Sequence, residues 1–331
     1  MGAALIRSSP EDFLVDELPL YPPSGEGGHT FVRIEKRLLT TEQVARSLAR
    51  AAEVSAREVG YAGRKDRAAV TRQWFSLPGL DPARALALEL PGVTVLEAVR
   101  HRHKLRTAQL AGNRFEIRVR NLGEGAGAEA RAALDRIAEQ GFPNRYGAQR
   151  FGRGGANVER ARAIVTGAKR ISDRRSARFL VSALQSAVFN EVLRARSLPL
   201  AEVELGDLAV KHDSGGLFWV DDEERENERA ARFEISATGL LFGTSSRRPT
   251  GAPGEREAAA LAALGLPAPG EFRPPKGLRV RGGRRALRAR PTEISLEDEG
   301  DCLRLGFVLG PGCYATVLLE ELFGELREGS C

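Results

Sequence analysis

The chain has 331 residues, of which 42% are hydrophobic and 28% are charged. The length predicts a sizeable core and two domains, and the composition is that of a globular protein and argues against wholesale disorder. Lys and Arg number 50 against 44 Asp and Glu, a basic balance that favours a polyanionic partner such as nucleic acid. Charged residues interrupt every apolar run before it reaches membrane-spanning length, and the first residues form no signal peptide. We therefore expect a cytoplasmic protein without a membrane segment.

The first 120 residues favour strands that are separated by turns and by one helix. Alternating and β-branched apolar residues predict the strands, and the cluster of Pro and Gly at 20–28 predicts a turn. Thr40 or Thr41, with Glu42 close behind, predicts the N-terminal cap of the helix. The predicted strands are 13–17, 30–34, 58–62, 73–77 and 114–120.

Helices are predicted to dominate from about residue 128 to about residue 200. The clearest runs from about Ser176 to Arg196, where apolar residues recur on one face. The segment 245–291 is rich in Gly, Pro and Arg and is predicted to be largely irregular. A strand at 302–309 and a helix from about Ala315 follow.

The order of strand-rich, helix-rich and again strand-rich segments predicts an inserted domain. The two flanks of such an insertion are expected to pair in one sheet. The predicted parts are 1–142, 143–295 and 296–331, with the middle part forming the insertion.

Cysteine and histidine spacing predicts no metal site. The three cysteines all lie near the C-terminus and form no Cys-x-x-Cys pair, which argues against a zinc site and a disulfide framework. His101 and His103 have the spacing of metal ligands, but nothing nearby completes a site. The glycine-rich segment 152–155 lacks the Lys-Ser/Thr pair of a phosphate-binding P-loop. We expect neither a metal nor another cofactor.

Asp66 is the first candidate for chemistry, because Lys65 and Arg67 flank it in a loop that follows a predicted strand. Adjacent cations favour the ionised carboxylate, and an ionised carboxylate acts as a nucleophile rather than as a general acid. The alternative is that Asp66 caps a short helix or is a solvated loop charge, and local sequence alone favours this alternative.

A resemblance to a known family changes that balance. The stretch from Tyr61 to Gln73, with Gly63-Arg64-Lys65-Asp66 and Val70-Thr71-Arg72-Gln73, resembles the catalytic segment of the TruD family of tRNA pseudouridine synthases. Further segments resemble the family in its own order along nearly the whole chain. These segments are Pro10–Phe13, Ser24–His29, Gly112–Phe115, Asn144–Gly155, Ser182–Asn190 and Gly312–Thr316.

The resemblance implies that Asp66 is the catalytic aspartate and that several other residues bind the target nucleotide. An enzyme that acts on a base takes it out of the stack and holds it by aromatic and polar contacts, so aromatic and amide side chains suit this role. Two positions depart from the family pattern: Tyr314 stands where Phe is common, and Arg145 precedes Tyr146 where an aromatic pair is usual. The substrate-binding residues implied by the resemblance are Phe13, Asn113, Phe115, Tyr314, Arg7 and Lys65.

Basic segments are candidates for contact with the RNA backbone. The alternation in 101–106 predicts a strand with its cations on one face, and the segment 273–290 carries many cations and no acid. A solvated basic loop is the alternative for part of 273–290. The tentative backbone contacts are Arg102, Lys104, Arg106, Arg150, Arg284 and Arg285.

The resemblance implies an α/β (α+β) protein whose catalytic domain has a mixed, largely antiparallel sheet and carries an inserted mixed α/β domain. RNA is expected in a basic cleft between them. The implied reaction is isomerisation of uridine to pseudouridine by a monomeric enzyme, with tRNA position 13 as the target and no cofactor. The residues leave open whether Asp66 attacks C1′, adds to the base or abstracts the 2′ proton.

Two other classes of function remain open at this point. One is a non-catalytic RNA-binding protein or RNA chaperone on the same fold. The other is a carboxylate-dependent nucleoside hydrolase, which would need a second acid/base carboxylate near Asp66.

Overall fold

A computed structural model describes residues 3–170, 173–244, 247–268 and 271–329. The chain divides into two compact units. The first is built from the residues up to Ala133, from Pro291–Ala315 and from Leu322 onward, and the second from Leu134–Arg290 and Thr316–Glu321. The domain boundaries predicted after residues 142 and 295 stay a prediction, because compactness alone does not define an independently folding domain.

Strands and helices alternate along the chain as follows. The strands are β1 (Ala4–Ile6), β2 (Phe13–Pro19), β3 (His29–Arg37), β4 (Gly60–Tyr61), β5 (Val70–Pro78), β6 (Val93–His101), β7 (Leu110–Arg120), β8 (Phe142–Pro143), β9 (Leu208–Lys211), β10 (Leu217–Trp219), β11 (Ile235–Leu241), β12 (Gly283–Ala286), β13 (Arg288–Ala289), β14 (Thr292–Asp298), β15 (Cys302–Leu309) and β16 (Leu326–Glu328). The helices are α1 (Thr41–Ala51), α2 (Pro82–Leu86), α3 (Ala126–Gln140), α4 (Ala156–Val165), α5 (Arg174–Arg194), α6 (Glu223–Ala231), α7 (Gly251–Ala263) and α8 (Ala315–Phe323). Short 3₁₀ turns cover Pro10–Asp12, Ala148–Phe151 and Arg153–Gly155.

One mixed sheet dominates the first unit. Its main path runs in the order β14-β15-β7-β2-β5-β3-β6, with β1 pairing β16 and β7, and β4 pairing β5. The pairs β2–β5 and β1–β16 are parallel and the others are antiparallel. The expected pairing of the two flanks is confirmed, since β15 lies antiparallel to β7 with Leu309 opposite Asn113. A largely antiparallel mixed sheet is the fold class that the family resemblance implied.

The two faces of this sheet differ in polarity because side chains alternate along each strand. On β2 the odd-numbered residues Phe13, Val15 and Glu17 are buried. Helix α1 packs on the same face, where Leu48 joins a core cluster with residues of β3 and β5. The opposite face carries partly exposed ion pairs, such as Arg33 with Asp16.

One prediction about secondary structure is wrong. Strand β6 ends at His101, so residues 102–109 form turns and loop instead of a strand with one basic face. Most described residues of the segment 245–291 lie outside helices and strands, as predicted, but the segment also contains α7, β12 and β13. Pro253 is tolerated in α7 because it lies in the first turn, where backbone N–H groups have no helical partner.

The second unit combines a small antiparallel sheet, in the order β10-β9-β11-β12, with helices that cover it. Apolar residues of α4, α5, α7 and β11 share one core cluster, and Phe189, Ile235 and Leu287 belong to another. Helix α5 matches the helix predicted from about Ser176 to Arg196, displaced by two residues towards the N-terminus. Within the described ranges, no helix has the length and apolarity that crossing a bilayer requires.

Candidate active site

The loop that carries Asp66 follows β4 and is held by two fully buried polar side chains. Gln73, on β5, donates from Nε2 to the Gly63 carbonyl over 3.2 Å. Thr41, at the start of α1, accepts from the Lys65 backbone N–H over 2.9 Å and donates to Gln73 Oε1 over 2.9 Å. Because each of these groups is buried and paired, displacing the loop would leave several polar groups without partners, which is costly. The Gln at the end of the Val-Thr-x-Gln stretch thus fixes the backbone of the candidate catalytic loop.

The Asp66 carboxylate lies against a buried arginine. Arg7 donates from Nη2 to Asp66 Oδ2 over 2.8 Å, and it also pairs with Glu328 on β16. The Arg7 side chain is 4% exposed, whereas that of Asp66 is 39% exposed. The guanidinium therefore holds the carboxylate from the protein side and leaves part of it open to a ligand. Arg7 has a left-handed backbone conformation with φ of 56°, a strained state that concentrates at functional sites.

A second buried cation supports the same loop. Lys36, on β3, is fully buried and donates from Nζ to the Asp66 carbonyl oxygen over 2.8 Å. Burial lowers the pKa of Lys36 from 10.5 to about 8, an effect that the Asp66 charge opposes and the Lys65 charge reinforces.

Polar residues next to the loop form a further buried network. Lys65 Nζ lies 2.7 Å from Glu17 Oε2 and donates to Asn113 Oδ1 over 2.6 Å. The side chains of Lys65 and Glu17 are 5% and 1% exposed. Asn113, on β7, is partly exposed. This network places Asn113 beside the residue that precedes Asp66, so these distant sequence segments meet as expected.

The aromatic residues are arranged differently from the expectation. Phe13 and Phe115 are 1% and 7% exposed and pack edge to face with ring centroids 6.3 Å apart. Phe115 also stacks on Phe307, and the Arg7 guanidinium lies 4.1 Å from the centroid of the Phe13 ring. The idea that Phe13 or Phe115 offers an open face to uracil is thus not supported, because core packing and Arg7 cover these rings. Tyr314 is partly exposed, in the segment between β15 and α8.

The predicted contacts to the RNA backbone fall into two groups, and Arg284 is placed wrongly among them. Its side chain is 2% exposed and forms an ion pair with the buried Glu257, so it cannot reach a phosphate. Arg285 is directed to Asn144, whose carbonyl oxygen accepts from its Nε over 3.1 Å, and it lies 4.3 Å from the Tyr146 ring centroid. Cation density in the sequence does not distinguish such structural arginines from surface ones.

The other group lies nearer the surface. In the loop after β6, Arg102 and Arg106 are exposed and Lys104 is partly exposed. Lys104 donates from Nζ to the Arg57 carbonyl over 2.6 Å. In the second unit, Arg150 donates to Ser182 Oγ over 2.9 Å and is partly exposed.

His101 is a buried structural residue. Its Nδ1 accepts from the Ser24 backbone N–H over 3.1 Å, its ring packs on Phe31 and Tyr21, and burial lowers its pKa. Across the part of the chain that the structure describes, no group of three or more His, Cys, Asp or Glu side chains is placed to hold a metal ion.

Sequence reasoning missed Glu17 and Lys36. Both occupy inward positions of strands, after Phe13 and Val15 on β2 and after Val32 and Ile34 on β3. A charged residue that continues an apolar alternation is the signal that would have identified them, because burial of a charge requires a partner.

A family model for tRNA pseudouridine synthase D (TruD) matches residues 2–168 and 158–322. A tRNA pseudouridine synthase D from Geobacter sulfurreducens is 40% identical, with 98% of this chain and 95% of that protein covered. One from Thermus thermophilus is 45% identical, with 96% and 88% covered. A crystal structure of a candidate TruD from Methanosarcina mazei has a TM-score of 0.74 at 24% identity and covers 97% of this chain and 93% of that chain.

Lys36 leads to a prediction about pH. Because its pKa in the folded protein, about 8, lies below the ordinary 10.5, the unfolded chain binds more protons between these values. The free energy of unfolding therefore rises with pH in this interval, and Lys36→Met removes that rise. Urea unfolding at pH 7, 8, 9 and 10 measures this free energy. The protein carries Trp219→Phe, so that the fluorescence of the remaining tryptophan, Trp74, reports on the first unit.

Lys104→Met is the matched control, since Lys104 is partly exposed and lies in the same unit. Its pH profile should run parallel to that of the parent protein. Parallel profiles for Lys36→Met and the parent would contradict the burial-induced shift.

Proposed function

The chain belongs to the TruD family of tRNA pseudouridine synthases, and on that premise we propose that it isomerises uridine to pseudouridine in tRNA. We further propose position 13 as the target, by resemblance to the family. The observation that supports a catalytic role most directly is the Asp66 carboxylate, partly open to solvent and held by the buried Arg7.

The reaction converts one bond into another without a change of oxidation state. The C1′–N1 bond of uridine breaks, the detached uracil rotates, a C1′–C5 bond forms, C5 loses a proton and N1 gains one. Attack at C1′, addition to the base and removal of the 2′ proton all require an ionised carboxylate beside the extruded nucleotide. Asp66 supplies a carboxylate in each case, and the Arg7 guanidinium, which contacts it over 2.8 Å, holds it in place.

The base has to leave the helical stack before Asp66 can act on it. Two partly exposed residues are proposed to form the base pocket: Asn113, which contacts Lys65 next to Asp66, and Tyr314, whose aromatic ring suits stacking on uracil. Phe13 and Phe115 support this pocket from the core rather than contacting the base.

We assign the tRNA backbone contacts to surface cations. In the first unit these are Arg102, Lys104 and Arg106, in the loop that follows β6. In the second unit, proposed as an inserted RNA-binding domain, Arg150 lies 5.8 Å from the ring centroid of Phe179, which is 40% exposed. A cation beside an exposed aromatic ring suits contact with a phosphate and an unstacked base.

Replacing Asp66 with Asn tests the catalytic role. We expect Asp66→Asn to lower the single-turnover rate of pseudouridine formation at least about 1,000-fold, because the amide lacks the charge that each route needs. The affinity for tRNA should stay within about twofold, since backbone contacts dominate it. Pseudouridine mapping in tRNA and filter binding provide the two measurements.

Asp16→Asn is the matched control, because Asp16 also pairs with an arginine, Arg33, but on the opposite face of the sheet. It should retain the parent rate. Equal yields of pseudouridine from Asp66→Asn and the parent would exclude Asp66 as the nucleophile. If the parent bound tRNA but formed no pseudouridine, the chain would be a non-catalytic RNA-binding protein. Release of free uracil would indicate a hydrolase.

Salt dependence tests the backbone contacts of the first unit. A variant with Arg102, Lys104 and Arg106 replaced by Ala should bind tRNA with a log–log salt slope shallower by roughly 2 to 3, as expected when about three phosphate contacts are lost. A control variant removes three other exposed cations of that unit, Arg50, Arg72 and Arg84, and should keep the parent slope. Identical slopes for both variants would remove this loop from the proposed interface.

A further inference from the structure

Three polar side chains from separate segments form a chain that ends at the proposed base pocket. Glu17 on β2 pairs with Lys65, whose Nζ lies 2.7 Å from Glu17 Oε2. Lys65 in turn donates to Asn113 Oδ1 over 2.6 Å. Glu17 Oε1 also accepts from the Trp74 backbone N–H over 3.3 Å, so the far end of the chain is anchored to β5.

The chemistry of Lys65 determines which way the Asn113 amide faces. An ammonium group only donates hydrogen bonds, so the amide atom that contacts it has to be the oxygen. The Nδ2 group of Asn113 is then directed away from Lys65. Among the residues that the structure describes, this Nδ2 group donates to no protein acceptor. Asn113 therefore presents a hydrogen-bond donor from a partly exposed position beside the Asp66 loop.

Burial explains why this orientation is stable. The side chains of Glu17 and Lys65 are 1% and 5% exposed, so each charge depends on the other. If Lys65 swung away to let the amide rotate, the buried Glu17 carboxylate would lose its cation. An isolated asparagine amide, by contrast, rotates easily to present either a donor or an acceptor.

We propose that Glu17 is a positioning residue that, through Lys65, fixes the Asn113 amide with its donor outward, so that the site selects a base by a carbonyl oxygen. This inference rests on the proposed function. Uracil offers carbonyl oxygens at positions 2 and 4, whereas cytosine shares the oxygen at position 2 but carries an amino donor at position 4, so a donor that contacts position 4 distinguishes the two bases. A fixed donor contacts a carbonyl oxygen favourably and leaves an amino group without an acceptor, which is the basis of strong discrimination by polar sites.

The test compares tRNAs that carry uridine, 2-thiouridine or 4-thiouridine at the target position. Sulfur is a weak acceptor, so replacing the oxygen that Asn113 contacts weakens that one hydrogen bond. We expect the parent enzyme to lose about tenfold in kcat/KM on one of the two thio substrates, which also identifies the oxygen. In Asn113→Ala, activity on uridine falls and that thio penalty disappears, as in a double-mutant cycle.

Glu17→Gln separates positioning from a purely structural role. With the carboxylate neutralised, Lys65 is no longer held, and we expect the thio penalty to shrink from about tenfold to less than about threefold. A structural role alone would lower activity on all three substrates by one factor and keep the penalty. Glu35→Gln is the matched control, because Glu35 is a carboxylate on β3 of the same sheet that pairs with Arg72 on the other face.

The double variant Glu17→Leu with Lys65→Met covers the case in which Glu17→Gln does not fold, because it leaves no unpaired buried charge. It too should lose the thio penalty. The inference is overturned if the folded Glu17 variants, or Asn113→Ala, keep the full thio penalty. In that case the proposed function still stands, as long as the parent enzyme forms pseudouridine from uridine. A parent enzyme that forms no pseudouridine overturns both.

Discussion

The ion pair between Arg7 and Asp66 is the interaction on which the candidate site depends. Arg7 is buried, so its charge requires a partner, and Asp66 supplies one at 2.8 Å while staying partly open to solvent. The arginine directly follows β1, which pairs with both β16 and β7. The Asp66 carboxylate is thus tied to the sheet at a point where three strands meet, although it lies on a loop.

The rest of the site follows from one constraint, the placement of charged and polar groups on the buried face of a sheet. Glu17, Lys36 and Gln73 occupy inward positions on three different strands, where an unpaired polar group is expensive. Each is therefore directed at a specific partner in or beside the Asp66 loop. These interactions reinforce one another, because a network of paired groups in a low-dielectric interior is costly to break at any one point. The loop is preorganised in this way before RNA binds, which suits electrostatic catalysis.

The alternation of apolar residues predicted most strands of the first unit, and the family resemblance predicted that Asn113 belongs to the same site as the Asp66 loop. Local sequence did not predict whether a given arginine is buried against a carboxylate or exposed to solvent. Arg284 resembled a phosphate contact within its basic segment, yet it forms an ion pair with Glu257 on α7. This helix was not predicted, because its first residues include glycine and proline. The burial of Phe13 was equally hidden, because a stacking residue and a core residue have the same chemistry. Side-chain pairing between distant segments is a tertiary property, and only the fold reveals it.

The central claim is that Arg7 holds the Asp66 carboxylate in its reactive position. The most direct test is the single-turnover rate of pseudouridine formation by Arg7→Met, with Arg7→Lys as a control that keeps a positive charge. We expect the methionine variant to be slower by about 100-fold or more at unchanged tRNA affinity, and the lysine variant to recover a large part of the rate. A methionine variant that is as fast as the parent enzyme would contradict the claim.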